Sequence, residues 1–250
     1  MVELKMTGIQ GIPEVTVRDD LALLIIKAAS TSSISIDDGD ILVVTQKIVS
    51  KAEGRVVKLS TIEASPFAIQ LSENHHRDPR HTEVILREST RIVRMDQGTI
   101  ISETRHGFIC ANAGVDASNL PLQDTVCLLP LDPDKSAQAI RRGIKSRINK
   151  TIAVIISDTF GRPWREGAIN VAIGTAGIDP TLDYRGLQDS YGSALRSTVI
   201  VIADELASAA DLVMGKLEGV PAAIIKGYSY KQTSVNISTL VRARDRDLFR

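Results

Sequence analysis

The chain has 250 residues, and its 30 basic and 30 acidic side chains cancel. At this length roughly 70–75% of the unfolded surface can be buried, so a core forms without disulfide or metal staples. The balanced charge argues against bulk binding to nucleic acid or an anionic membrane, and aromatic residues at 4% are too few for a single-strand stacking platform, although a local basic pocket stays open.

Residues 1–15 lack the apolar h-region of a signal peptide, and the longest apolar run, 21–26, is too short to span a bilayer. A cytoplasmic protein is expected. Cys110 and Cys127 sit among apolar neighbours, which predicts buried free thiols in a reducing compartment. Residues 18–29 predict a helix with Leu21, Leu24, Ile25 and Ala28 on one face. Asp37-Asp38-Gly39-Asp40 predicts a turn into an apolar, β-branched strand, 41–45. A second strand is expected at 55–59. Helices are expected at 61–74 and 79–88, the latter with Pro79 at the tolerated first position. Residues 99–104 and 107–111 alternate and predict a hairpin across Arg105 and His106, with a short strand at 126–129. Asp132 caps and Pro133 opens a helix running to about residue 148. Its late Arg141, Arg142, Lys145 and Arg147 match the helix dipole and read as a solvated face.

The last third reads as a strand (152–157), a glycine-rich region (161–192), a strand (197–203), a helix (204–216), a strand (221–226) and a weakly patterned tail. No internal repeat or low-complexity linker breaks the chain. Strands and helices mix without a regular βαβ rhythm, which predicts a mixed α/β (α+β) fold with an irregular mixed sheet, neither Rossmann nor P-loop. One unit over 1–250, or two lobes of it, is expected.

The densest chemistry follows the strand at 152–157. It runs straight into Ser157-Asp158-Thr159-Phe160-Gly161-Arg162-Pro163-Trp164-Arg165-Glu166-Gly167. A carboxylate and a hydroxyl at a strand end suit a hard cation such as Mg²⁺, and the arginines suit anionic oxygens. Asn112-Ala113-Gly114-Val115-Asp116-Ala117-Ser118-Asn119 has the composition of an ordinary turn. Beside Asp158, however, Asp116 offers a second carboxylate for one cation, as phosphoryl transfer requires. Lys47 and Lys51, after the strand ending at Thr45, share a face if the next turn is helical. A phosphate between them would relieve a repulsion of about a few tenths of a kcal/mol; two solvated lysines fit as well. Residues 213–221 read as a helix end capped by Gly215 and then a connecting loop. His75, His76, His81 and His106 lack helical ligand spacing and read as solvent-exposed. No Walker A pattern, dinucleotide-binding glycine motif or HExxH is present, and Asp158-Thr159-Phe160-Gly161 has no partners that would make it a kinase signature.

Together these stretches resemble the coenzyme F420:γ-glutamyl ligase family. The resemblance rests on VVTQKIVSKAEGR, NAGVDASN, LLPLDPD and SDTFGRPWREG, with Gly11-Ile12-Pro13, Asp78-Pro79-Arg80, Ala203-Asp204-Glu205 and the stretch from Met214 to Pro221, in the family's order over most of the chain. It implies the family's own irregular mixed-sheet fold and a homodimer. It also implies an amide ligase that uses GTP to add L-glutamate to F420-0 through an acyl phosphate and then extends a γ-linked tail. Mg²⁺ or Mn²⁺, two ions, is the implied metal, with K⁺ as a further cation. Carried over by position, Asp116 and Asp158 look like ligands of one metal and Thr159 of the second, and Asp116, Asp158 and Lys51 look catalytic. Ile12, Pro13, Glu14, Val15, Gln46, Lys47, Lys51 and Asn119 look like nucleotide contacts. So does the loop Met214, Gly215, Lys216, Leu217, Glu218, Gly219 and Val220. The chain departs from the pattern of archaeal members at Lys216, where they carry an acidic residue after Met-Gly; Glu218 is the nearest replacement. Some bacterial relatives fuse this unit to a reductase-like domain, and none is expected in a chain ending at Arg250. Taken alone, the residues also suit a related metal-dependent ligase or phosphohydrolase with another acceptor, or a non-catalytic nucleotide-binding protein.

Overall fold

The computed structural model describes residues 3–73, 76–96, 98–120 and 122–247. In chain order the strands are β1 (Lys5–Gly8), β2 (Ile41–Thr45), β3 (Val56–Lys58), β4 (Ser89–Asp96), β5 (Thr99–Thr104), β6 (Ile109–Ala111), β7 (Thr125–Cys127), β8 (Ala153–Arg162), β9 (Arg165–Ala176), β10 (Leu182–Asp183), β11 (Val199–Ile200) and β12 (Ala222–Lys226). The helices are α1 (Leu21–Thr31), α2 (Gln46–Ala52), α3 (Pro66–Glu73), α4 (Pro79–Glu88), α5 (Pro133–Ile148) and α6 (Ile202–Met214). The mixed α/β reading holds.

A central sheet of order β1-β12-β2-β8-β9 organises the fold. Its strands pair antiparallel except β2 with β8, which run parallel. The run from Ile41 to Val44 is apolar at every position because both faces of the sheet are covered. Leu42 and Val44 point into a core with Ile25 of α1 and Ile140 and Ile144 of α5. Ile41 and Val43 point the other way, toward Leu206, Ala207 and Ala210 of α6. Alternation on a period of two thus feeds two apolar layers from one strand. Burying each such side chain stabilises the fold by about 1.5–3 kcal/mol. A smaller cluster, including Val84, Ile85, Ile100, Ala113, Val115 and Val126, packs α4 on the sheets β4-β5-β6 and β3-β7.

Several local expectations hold for their stated reasons. Asp132 caps α5 by accepting from the Lys135 N–H at 3.1 Å, with Pro133 in the first turn. The hairpin β5-β6 closes through the Gly107 N–H donating to the Thr104 carbonyl at 2.9 Å, with Gly107 at φ 85°. Cys110 and Cys127 are buried free thiols, and burial pushes Cys110 up to about 12. Among the described residues no helix is long and apolar enough to cross a membrane.

Other expectations are corrected. The first helix starts at Leu21 rather than at 18, because Arg18 has φ 70° and Asp20 is the N-cap, accepting from Leu23 at 3.0 Å. The helix expected from 61 starts at Pro66, and its expected end at Asn74 lies outside the described residues, as does His75. The strand expected at 197–203 shrinks to β11, because α6 already begins at Ile202 and ends at Met214. The glycine-rich region conceals β9, the full antiparallel partner of β8. β1 and β4 have no counterpart in the expected elements.

Gly174 explains how a glycine can sit inside β9. A Cβ there would lie 2.5 Å from the Pro133 backbone, so α5 approaches the sheet only over a residue without a side chain. Gly161 in β8 faces open space. Gly174→Ala is therefore expected to destabilise the protein by about 1–3 kcal/mol, while Gly161→Ala stays near neutral. Urea denaturation of both variants measures the contrast.

Candidate active site

One edge of the central sheet gathers the chemistry. Parallel pairing sets Thr45 opposite Ser157, so α2, which follows β2, and the second half of β8 from Asp158 onward emerge side by side. β12 is antiparallel to β2, so the loop entering it arrives at the same edge, where the Thr45 N–H donates to the Pro221 carbonyl at 2.9 Å. β1 is antiparallel to β12, so the segment after Gly8 leaves from this edge as well. These segments bound a cleft of about 520 Å³. The loop 112–119 closes it from the side, tied in by reciprocal hydrogen bonds between Asp116 and Cys127 at 3.0 and 2.8 Å.

Lys47 and Lys51 stand one helical turn apart on α2 and point into the cleft. The Lys47 ammonium donates to the Asp116 carboxylate and to the Ser118 carbonyl, the latter at 2.6 Å. Lys51 is buried, donating to Glu14 at 2.7 Å and to the Asn119 carbonyl at 3.3 Å. Gln46 is buried too and accepts from Ser50 at 2.8 Å. Burial pushes the Asp116 carboxyl up, but Lys47 and the Ser118 N–H and hydroxyl outweigh it and hold the group below its ordinary value. The preceding turn takes Asn112, Ala113 and Gly114 through left-handed conformations in succession. At Gly114 a Cβ would lie 2.8 Å from the Leu129 side chain, so the turn needs glycine for space as well as for φ.

Asp158 behaves differently. A register shift in the β8-β9 ladder falls between Ile156 and Ser157, where the strand leaves its apolar layer and enters the cleft. Among the described residues no side chain donates a hydrogen bond to the Asp158 carboxylate. Burial raises it to about 6, the Thr159 N–H opposes that, the charge of Asp116 adds to it, and Lys216 and Lys47 offset part of the rise. A carboxylate held in protein without a cationic partner is the group a bound cation relieves. Beside it, the Thr159 hydroxyl donates to Asn170 Oδ1 at 2.7 Å and accepts from the Lys216 ammonium at 2.6 Å. Asn170 in turn donates to Asp211 at 2.9 Å.

The cleft is lined by Ile12, Pro13, Glu14, Val15, Gln46, Lys47, Lys51, Asp116, Asn119, Asp158, Thr159, Gly215, Lys216, Leu217, Gly219 and Val220, all singled out from the sequence. Two others lie elsewhere. Met214 is buried in the α6 core, because the helix turns its last apolar residue inward. Glu218 folds back on its own loop, accepting from the Leu217 N–H at 2.8 Å and filling the space beside Gly215, so it does not replace an acidic group at 216. Arg162 and Arg165, read as a grip for anionic oxygens, flank the tip of the β8-β9 hairpin and do not line the cleft. Sequence reasoning missed Ser118 as a ligand of Lys47, and it missed Asn170 and Asp211. Asn170 and Asp211 become visible only once β9 pairs with β8 and α6 packs on it. His81 and His106 are partly buried rather than exposed, and His106 shares its Nε2 with the Pro130 and Leu131 carbonyls at 2.9 and 3.1 Å.

The two metal sites implied by the resemblance fit unequally. Among the described residues no group of three His, Cys, Asp or Glu side chains converges as a self-sufficient metal cage. Asp116 and Asp158 do suit one hard cation that completes its shell with phosphate oxygens and water, the habit of Mg²⁺. The Thr159 position does not suit a second, because a neutral hydroxyl already engaged by Asn170 and an ammonium has no carboxylate of the 215–220 loop beside it, whereas Asp116 keeps its charge although Lys47 and Ser118 engage it.

The raised Asp158 group carries a pH signature. Its folded value of about 6 lies above the ordinary 3.8, so between these values the native state binds more protons than the unfolded state, and stability falls as pH rises through that window. Partial solvent exposure of Asp158 discounts the cost of the ionised group to about 1–2 kcal/mol. At pH 7.5, Asp158→Asn is expected to raise the melting temperature of the metal-free protein by about 2–6 °C while abolishing turnover. The difference should vanish below about pH 4, as thermal scans across pH would record.

The family described as F420-0:gamma-glutamyl ligase matches residues 9–227 of the chain. The Coenzyme F420:L-glutamate ligase of Methanothermobacter thermautotrophicus is 46% identical over 250 residues, covering 99% of both chains. The protein of the same name from Methanopyrus kandleri is 45% identical over 237 residues, covering 93% of this chain and 92% of its own. That from Methanocaldococcus jannaschii is 43% identical over 216 residues, covering 86% of each. On a match of this extent the chain belongs to the F420-0:gamma-glutamyl ligase family, a family of ligases.

Proposed function

We propose that this protein adds L-glutamate to F420-0 and extends a γ-linked glutamate tail, using GTP and a divalent cation. The observation that carries the reading is the meeting of Lys47, Lys51, Asp116 and Asp158 at one cleft of about 520 Å³. A carboxylate is a poor acylating agent at neutral pH, so amide formation requires prior activation. In the first step a carboxylate oxygen of the acceptor attacks the terminal phosphorus of GTP. The bond to the bridging oxygen breaks and GDP leaves. In the second step the neutral amine of glutamate attacks the acyl carbon, inorganic phosphate departs with the electron pair, and the nitrogen loses a proton to solvent.

Each residue has a physical part in this scheme. Lys47 and Lys51 supply positive charge to phosphate oxygens from a helix that is fixed at both ends of its cleft-facing side. Asp116 and Asp158 would hold the cation, which would offset the negative charge that develops during phosphoryl transfer. Residues 12–15, Gln46, Asn119, 215–217, 219 and 220 form the cleft walls that would enclose a nucleotide. Gly219, at φ 66° and with open space where a Cβ would stand, lets backbone approach it closely. A homodimer in the cytoplasm completes the reading, and light scattering measures the assembly.

Incubation with GTP, Mn²⁺, F420-0 and glutamate is expected to yield products heavier by successive glutamyl units in mass spectrometry. Loss of GTP without glutamylated product would replace the ligase reading with a hydrolase. Lys51→Ala is expected to weaken nucleotide binding by about 10–100-fold, the worth of a charge-assisted hydrogen bond at a buried position. Binding of F420-0 should change far less. Equal losses for both ligands in calorimetry would contradict the phosphate role.

A further inference from the structure

We propose that the ammonium of Lys216 takes the place of a second metal ion, so that this chain works with one divalent cation and one fixed lysine. The inference rests on the nucleotide-and-metal reading above and deepens it. Lys216 Nζ lies 2.6 Å from Thr159 Oγ1, and that hydroxyl spends its own proton on Asn170 Oδ1 at 2.7 Å. The threonine oxygen is therefore committed on both sides. A dication approaching it would meet an ammonium already seated there, and the two like charges would repel across a few ångströms.

The surroundings hold the lysine in place. Asn119 donates to the Lys216 carbonyl at 3.3 Å, fixing the backbone of the loop against the opposite wall of the cleft. Asn170 is anchored in turn, its side-chain amide donating to Asp211 at 2.9 Å and its backbone carbonyl accepting from the Ser208 hydroxyl at 2.6 Å. The carboxylate two positions on, Glu218, turns back onto the Leu217 N–H and leaves the cleft. No acidic side chain of this loop is thus presented where a second cation would need one. Asp211 does line the cleft, but its carboxylate is engaged by Asn170. The charges of Lys216 and of Lys47 both act on Asp158, and both lysines line the same cleft. Terminal phosphate oxygens near Asp116 and Asp158 would share the cleft with the Lys216 ammonium. A lysine is a compact point charge with three donors, suited to that task without ordered coordination geometry.

The test is a count of metal ions. Equilibrium dialysis with Mn²⁺ and the β,γ-imido analogue of GTP gives Mn²⁺ and nucleotide bound per chain. One Mn²⁺ per bound nucleotide is expected for the unmodified protein. Lys216→Glu should raise this twofold, because a carboxylate beside Thr159 completes the second site. Lys216→Met should keep the ratio and lower nucleotide affinity about tenfold. Lys216 is exposed, so circular dichroism should find both variants folded. Two Mn²⁺ per nucleotide on the unmodified protein would overturn the inference, as would an unchanged ratio in Lys216→Glu. No nucleotide-dependent Mn²⁺ binding at all would also overturn it, and the glutamylation assay would then show separately whether the ligase reading falls with it.

Discussion

The parallel pairing of β2 with β8 is the constraint on which the site depends. It is the parallel contact in an otherwise antiparallel central sheet, and it fixes Thr45 against Ser157. From that register Lys47 and Asp158 must emerge as neighbours. The antiparallel placement of β12 and then β1 brings their loops to the same edge. In open α/β sheets ligands lie beyond the carboxyl ends of parallel strands. Here a single parallel pair suffices, because its antiparallel flanks deliver further loops to the same place. A register slip of one residue would turn Leu42 and Val44 out of their layer, so the hydrophobic core enforces the geometry of the site.

The electrostatics follow from this convergence. Glu14, Asp116, Asp158 and Asp211 share the cleft with Lys47, Lys51 and Lys216. Lys47 is spent on Asp116, Lys51 on Glu14, Lys216 on Thr159, and Asn170 on Asp211. Asp158 accepts no side-chain hydrogen bond among the described residues, and burial, with the charge of Asp116 adding to it, raises its proton affinity. The protein tolerates the cost at the point where a cation would remove it. The pairing of Lys47 and Lys51 with carboxylates also keeps both ammonium groups extended toward the cleft, so less side-chain freedom would be lost on binding the proposed phosphate.

Much of this was legible in the sequence, and for local reasons. The run 152–156 announces a buried strand, but β8 continues through Asp158 and Thr159 to Arg162, so the chemistry sits within the strand and not at the strand end that the sequence suggests. The spacing of Lys47 and Lys51 requires only one helical turn, and Asp132-Pro133 marks a helix start that the fold keeps. What stayed hidden depends on partners distant in the chain. β9 carries Gly167 and Gly174, which read as loop until α5 is seen to press on Gly174. Asn170 and Asp211 acquire meaning only from cross-strand pairing and from helix packing, neither of which has a local signature. Lys216 and Glu218 sit two residues apart on one loop, and composition alone does not say which turns into the cleft. The structure turns the lysine inward and folds the carboxylate back.

The account therefore rests on two carboxylates from distant segments, Asp116 and Asp158, acting as one cation site, with the lysine loop completing the phosphate surroundings. The most direct measurement is crystallographic: anomalous scattering from crystals grown with Mn²⁺ and a non-hydrolysable guanine nucleotide. The account predicts a manganese peak within coordination reach of both carboxylates and of a terminal phosphate oxygen. A manganese ion bound to neither carboxylate, or a nucleotide lying outside the cleft walled by residues 12–15 and 215–220, would contradict it.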